Sequence, residues 1–157
     1  MAIILTIDPE WNIIKKIITR LEKDPSLVEQ GRDFLEATKI TAIELVENAL
    51  KYADPGPDDK QPILFSFKNS KSNALIRVTN FCSNKTQKEK IKGTIDHIRK
   101  ENAFDLYVNR MNEILQHPNG YSRLGFYRIS AETEYILSYK MTQKTVTILA
   151  RRPLEKK

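Results

Sequence analysis

The sequence predicts an α+β fold: a two-layer α/β sandwich with a mixed, mostly antiparallel sheet and helices on one face. Three observations predict it. Ile63, Phe65 and Phe67 alternate with polar or outward positions, as do Ala74, Ile76 and Val78, and the polar run 69–73 joins the two segments. Tyr135, Leu137, Tyr139 and Met141 repeat that pattern with Val146, Ile148 and Ala150 across Thr142-Gln143-Lys144. Period-two alternation marks half-buried strands, so these are two hairpins. Between and before them lie segments with apolar residues every three to four positions, the helical period. The resulting order is strand, helices, hairpin, helices, hairpin.

A chain of 157 residues, 40% hydrophobic and 29% charged, fits one globular domain over 1–157. No apolar run approaches the roughly 20 residues of a membrane span. The start, MAIILTIDPEW, lacks the basic flank and apolar length of a signal peptide. The lone Cys82 excludes an internal disulfide and fits a reducing cytoplasm, the expected location. The net charge of +6 suits nucleotides, acidic proteins or nucleic acid equally.

In chain order, residues 2–6 read as a short strand. Asp8-Pro9-Glu10 has the form of a helix start, with a capping carboxylate and a proline at the first helical position. Trp11, Ile14, Ile17, Ile18 and Leu21 give that helix an apolar stripe. Asp24-Pro25-Ser26 ends it and opens the next, and Gly31 is a possible break. A central helix spans 41–53, with Ile43, Val46, Leu50 and Ala53 on the side facing a core. Asp54-Pro55-Gly56-Pro57 closes it. After the first hairpin, 84–100 reads as a charged helix weakened by Gly93, with Ile91, Ile95 and Ile98 as its apolar line. Phe104, Tyr107, Val108, Met111, Ile114 and Leu115 define a clearer helix. Residues 121–131 read as another, with Leu124, Tyr127 and Ala131 inward. The segment 151–157 reads as a basic, frayed tail.

The central helix carries the chemistry. Glu44, Asn48 and Lys51 lie at i, i+4 and i+7 and form one polar stripe. Pattern alone also fits a plain surface helix with Glu47 and Lys51 as an ion pair. The run Glu44-Leu45-Val46-Glu47-Asn48-Ala49-Leu50-Lys51-Tyr52, however, resembles the asparagine box of the GHKL ATPases, the group of gyrase, the Hsp-type chaperone, histidine kinases and mismatch-repair proteins. The resemblance implies that Asn48 holds a Mg²⁺ bridging the phosphates of ATP and that Glu44 activates the attacking water or hydroxyl. Lys51 is a histidine-kinase-type feature of the same nucleotide site. The family's element order also matches across nearly the whole chain.

Elsewhere the match is partial. The family's first glycine box, D-x-G-x-G, falls on Asn80-Phe81-Cys82-Ser83-Asn84. Asn80 stands where an Asp reads the adenine amino group, so that bond loses its charge assistance. Cys82 and Asn84 replace glycines that allow positive φ or close approach to a ligand. The second box falls on Gly120-Tyr121-Ser122-Arg123-Leu124-Gly125-Phe126. Gly120, Ser122, Arg123, Leu124 and Gly125 are the implied phosphate-side residues, at a helix start that favours anions. Arg123 replaces a glycine and either grips a phosphate or blocks it. In the family, the segment 84–120 is a mobile lid. Sparser apolar residues at 84–103 predict more motion there than at 104–116.

His97 and His117 have no metal-ligand spacing and lie after the box, where a histidine kinase has no phospho-accepting residue. The resemblance points instead to stand-alone anti-sigma factors and partner-switching serine kinases, which act on a small regulatory protein. Such a chain transfers phosphate from ATP to Ser or Thr with Mg²⁺ on Asn48, or binds its partner as a pseudo-ATPase with no cofactor. A homodimer is compatible with either. A nucleic-acid module using the basic stretch 85–100 lacks interleaved aromatics and ranks last.

Overall fold

The computed structural model describes residues 2–7, 12–52, 62–116 and 124–154. Its elements are β1 (Ala2–Ile7), α1 (Ile13–Glu22), α2 (Pro25–Glu29), α3 (Arg32–Tyr52), β2 (Ile63–Asn69), β3 (Asn73–Phe81), α4 (Lys85–Lys100), α5 (Ala103–Gln116), α6 (Leu124–Glu132), β4 (Ile136–Met141) and β5 (Thr145–Pro153). The strands form one five-stranded sheet in the order β1-β2-β3-β5-β4. Both predicted hairpins lie in it, and β1 joins at one edge. Every pairing is antiparallel, which corrects the mixed sheet expected from sequence.

Alternation decides which face is covered. Ile63, Phe65 and Phe67, Ala74, Ile76 and Val78, and Val146, Ile148 and Ala150 are buried against the helices. The intervening residues Ile4, Leu64 and Ile136 remain exposed. The helices therefore pack on one face of a two-layer sandwich, the predicted class. A one-residue slip in any pairing would invert the buried set, so the register is held by burial itself.

α3 is the spine of the helical layer. Its 21 residues begin just after Gly31, whose φ of +104° is a conformation glycine adopts without strain. Its buried face is Phe34, Ala37, Thr38, Thr41, Ala42, Leu45, Val46 and Ala49, offset from the predicted stripe, with Ile43 and Leu50 only half-buried. The Thr38 hydroxyl bonds Tyr135 Oη at 2.7 Å, tying α3 to the entry of β4. Burial pushes the Tyr135 phenol up to about 12, so it stays a neutral hydroxyl. α2 opens where Asp24-Pro25-Ser26 was expected to open a helix, and the Asp24 carboxylate caps it by accepting from Ser26 N at 2.9 Å.

Three further readings change, and that of α4 holds. In α1, Ile17 and Leu21 are buried and Ile14 and Ile18 are half-buried. In α6, Phe126 and Ile129 are buried, whereas Leu124, Tyr127 and Ala131 are half-buried. The expected tail continues β5 as far as Pro153, and Leu154 N donates to Ser72 O at 2.9 Å. α4 runs through Gly93 with Ile91, Ile95 and Ile98 all buried. The helix start at Asp8–Glu10, Trp11, Ala53, the stop at Asp54–Pro57 and residues 121–123 lie outside the described residues.

Candidate functional site

The polar stripe of α3 faces a cavity of about 310 Å³ lined by Glu44, Glu47, Asn48, Lys51, Tyr107, Leu124, Gly125, Arg128 and Glu132. Three of the nine are the predicted α3 residues, and Leu124 and Gly125 come from the second glycine box. The fold thus brings together two segments that lie some 75 residues apart. Gly120, Ser122 and Arg123 lie outside the described residues.

Gly125 explains how closely the two helices meet. A Cβ there would collide with Glu44 Oε2 and lie 3.2 Å from Glu44 Cδ and 3.3 Å from Asn48 Nδ2. A side chain there would displace the end of the Glu44 side chain from its place against α6. Asn48 Nδ2 donates to Glu44 O at 2.8 Å. A backbone carbonyl can only accept, so this bond fixes the amide orientation. The oxygen Oδ1 is the atom left to meet a cation.

Glu44 is mostly buried, its side chain 16% exposed. Burial raises its carboxyl above the ordinary value of 4.5 and the neighbouring Glu47 adds to this, while Arg128 and Lys51 oppose it. Arg128 Nη1 lies 3.2 Å from Glu44 Oε1, and its Nε lies 2.9 Å from Glu132 Oε2. The guanidinium bridges two carboxylates on facing helices. Arg128 was not singled out from sequence. Its place one turn after Gly125, on the face that meets Glu44, is the pattern that would have found it.

The cavity wall carries three carboxylates and two cations. A phosphate chain entering it would meet net negative charge unless it arrived with a cation. Among the described residues, no group of three or more His, Cys, Asp or Glu could hold a metal alone. Mg²⁺ commonly takes only one or two protein ligands and completes its shell from phosphates and water, so Asn48 Oδ1 fits that use.

Asn80 is elsewhere. It is 6% exposed, does not line this cavity, and its Nδ2 donates to Phe81 O at 3.2 Å. The segment after it departs from the family loop. Cys82 N donates to Lys144 O at 2.8 Å, continuing the β3–β5 ladder. Asn84 then caps α4, its Oδ1 accepting from Gln87 N at 3.0 Å, with φ at −70°. Among the described residues only Gly31 and Glu134 have positive φ. Cys82 and Asn84 are therefore unstrained, because strand passes directly to helix where the family places a glycine loop.

A larger cavity of about 570 Å³ lies by β4 and β5, lined by Gln30, Phe34, Glu134, Ile136, Arg152, Pro153 and Leu154. Arg152 lies over the Phe34 ring at 5.2 Å and pairs with Glu134 at 2.7 Å. It holds no sequence-predicted site residue.

No protein-family model matches the sequence, and no curated protein does. Among solved structures, the chain is similar to one from the SiaB-SiaC complex of Pseudomonas aeruginosa. The TM-score is 0.61 at 14% sequence identity, over 95% of this chain and 88% of that chain. At that identity the likeness is one of fold. Among the described residues, no helix is long and apolar enough to cross a membrane.

Proposed function

We propose that this chain is a cytoplasmic regulator of the GHKL type that acts on a protein partner through a Mg²⁺-dependent phosphate site at Glu44, Asn48, Gly125 and Arg128. The observation that carries the reading is the seating of Gly125 on Glu44 and Asn48. Two segments that resemble motifs used by the family around the phosphates are packed closely against each other. The fold likeness to a chain from a protein–protein complex supports a protein partner.

Asn48 Oδ1 would hold Mg²⁺, which when bound neutralises the phosphates and the charge that develops during transfer. Glu44 would take the proton of a partner Ser or Thr hydroxyl as its oxygen attacks the γ-phosphorus and the bond to ADP breaks. A carboxyl raised by burial is a better base at neutral pH than an exposed one. Arg128 holds it in place and opposes that rise. The base-reading side lacks a counterpart, since Asn80 is turned into the sheet–helix interior. ATP binding is therefore weak, carried by Mg²⁺ and phosphates, and poorly selective between bases.

One observation favours a second reading. Glu44 is already neutralised by Arg128, as suits a pseudo-ATPase that binds its partner without catalysis. Phosphate transfer from labelled ATP to a Ser/Thr-containing acceptor, with thermal stabilisation by ATP and Mg²⁺, separates the two. The catalytic reading expects stabilisation in both parent and Glu44→Gln, with transfer lost by roughly 10²- to 10⁴-fold in the variant. Stabilisation without transfer in the parent selects the pseudo-ATPase. No stabilisation at all would overturn both nucleotide readings.

A further inference from the structure

The sheet face turned away from the helices has an unusual composition. Among the described side chains, the registers place fourteen outward positions in three rows across the five strands. The first row is Lys68, Leu75, Arg151 and Ile136. The second is Ile4, Ser66, Arg77, Leu149 and Ser138. The third is Thr6, Leu64, Thr79, Thr147 and Lys140. Four positions are cations and none is acidic, in a chain with 20 acidic residues. Lys68, Arg77, Lys140 and Arg151 are all exposed. Beside them stand aliphatic side chains left in water, with Ile4 78%, Leu64 48% and Ile136 43% exposed. Antiparallel sheets often leave one face to solvent, but that face then reads polar. Aliphatic groups interleaved with one sign of charge mark an interaction surface.

We propose that this face is a docking surface for an acidic amphipathic helix of a partner protein. Five strands span about 19 Å, which an α-helix covers in about thirteen residues. Its apolar stripe would cover Ile4, Leu64 and Ile136, and flanking Asp or Glu would meet the four cations. A second copy of this chain would set four cations against four. Nucleic acid would find no exposed aromatic here, because the single aromatic at an outward strand position, Phe81, is half-buried at the end of β3. The surface lies on the opposite layer from the Glu44 cavity, so the proposal stands whether or not nucleotide binds there.

The test is fluorescence anisotropy on the full chain with a labelled synthetic helix. The helix carries leucines at three- and four-residue spacing, flanked by glutamates. Twin peptides carry lysine in place of glutamate, or the same residues scrambled. The acidic helix should bind the parent and weaken with salt, and both twins should fail. Arg77→Glu and Arg151→Glu should each weaken it tenfold or more, whereas Lys92→Glu on α4, an equal change in net charge, should leave it. If a variant melts early, Lys68→Glu and Lys140→Glu carry the same expectation. Equal loss in Lys92→Glu would overturn the proposal, as would equal binding of the scrambled helix or no binding at all. Displacement by a DNA oligonucleotide, or a dimer in sedimentation that Arg77→Glu dissolves, would assign the face to another occupant and overturn it too.

Discussion

The two sides of the expected nucleotide site differ in what they ask of glycine. On the α3–α6 side, Gly125 sits so close to Glu44 and Asn48 that a Cβ would displace the Glu44 carboxylate. On the β3–α4 side, none of residues 82–84 has a positive φ, and nothing there requires glycine. Cys82 extends a ladder and Asn84 caps a helix. The residues there form an ordinary strand-to-helix connection with no strained backbone, whereas Gly125 marks a close contact.

Gly125→Ala should give the largest effect in breaking this contrast. The added methyl forces the Glu44 carboxylate aside, which is cheap for stability because a flexible side chain can move. Helix propensity offsets part of the cost, about 0.5–1 kcal/mol. The melting temperature should change little, while Mg²⁺-dependent ATP affinity falls roughly tenfold; unchanged affinity would show that α6 is not part of the phosphate site.

Amide exchange sharpens the comparison from the lid side. Sequence predicted more motion at 84–103 than at 104–116, but the apolar anchoring is the reverse. α4 buries Ile91, Ile95 and Ile98, and Lys88 Nζ reaches Thr142 O and Gln143 O at 2.9 and 2.7 Å. α5 leaves Phe104, Val108, Met111 and Leu115 exposed. Amides of 91–98 should exchange more slowly than those of 106–115, by tenfold or more; faster exchange in α4 would restore the sequence-based order.

A smaller effect is expected from Asn80→Asp, which returns the family carboxylate. Because residue 80 does not line the cavity, ATP affinity should change less than about threefold, well under the tenfold that 1.4 kcal/mol represents. A tenfold gain specific to ATP over GTP would show that a base pocket persists.

The smallest effect concerns pH. The Glu44 carboxyl is raised in the folded chain, mainly by burial, so the folded state binds its proton more tightly than the unfolded state does. That contribution is fully present below the unfolded value, is lost as pH rises through the folded value, and is constant above it. Glu44→Gln should flatten the fall in stability that begins near 4.5. An identical pH–stability curve would contradict the raised value.

Most of the fold was legible because alternation and helical period report burial directly. Ile63, Phe65 and Phe67 could face only one way. What stayed hidden depended on contacts between distant segments. The exact buried stripe of α3 is set by Tyr135 and the sheet beneath it. The Arg128 bridge to Glu44 joins α6 to α3, and only the spacing of Arg128 from Gly125 and Glu132 marks it in the sequence. The strand-to-helix junction at Cys82–Asn84 was hidden for the same reason, since Lys144 on the other hairpin completes it.

The central claim is that the phosphate side persists and the base-reading side does not. Calorimetric titration of ATP and GTP, each with and without Mg²⁺, on the parent chain and on Asn48→Ala tests it most directly. The account predicts weak binding of both nucleotides to the parent with affinities within a few-fold of each other. Binding should be lost without Mg²⁺ and weakened roughly ten- to hundredfold in Asn48→Ala. Tight, adenine-selective binding, or binding indifferent to both Mg²⁺ and Asn48, would contradict it.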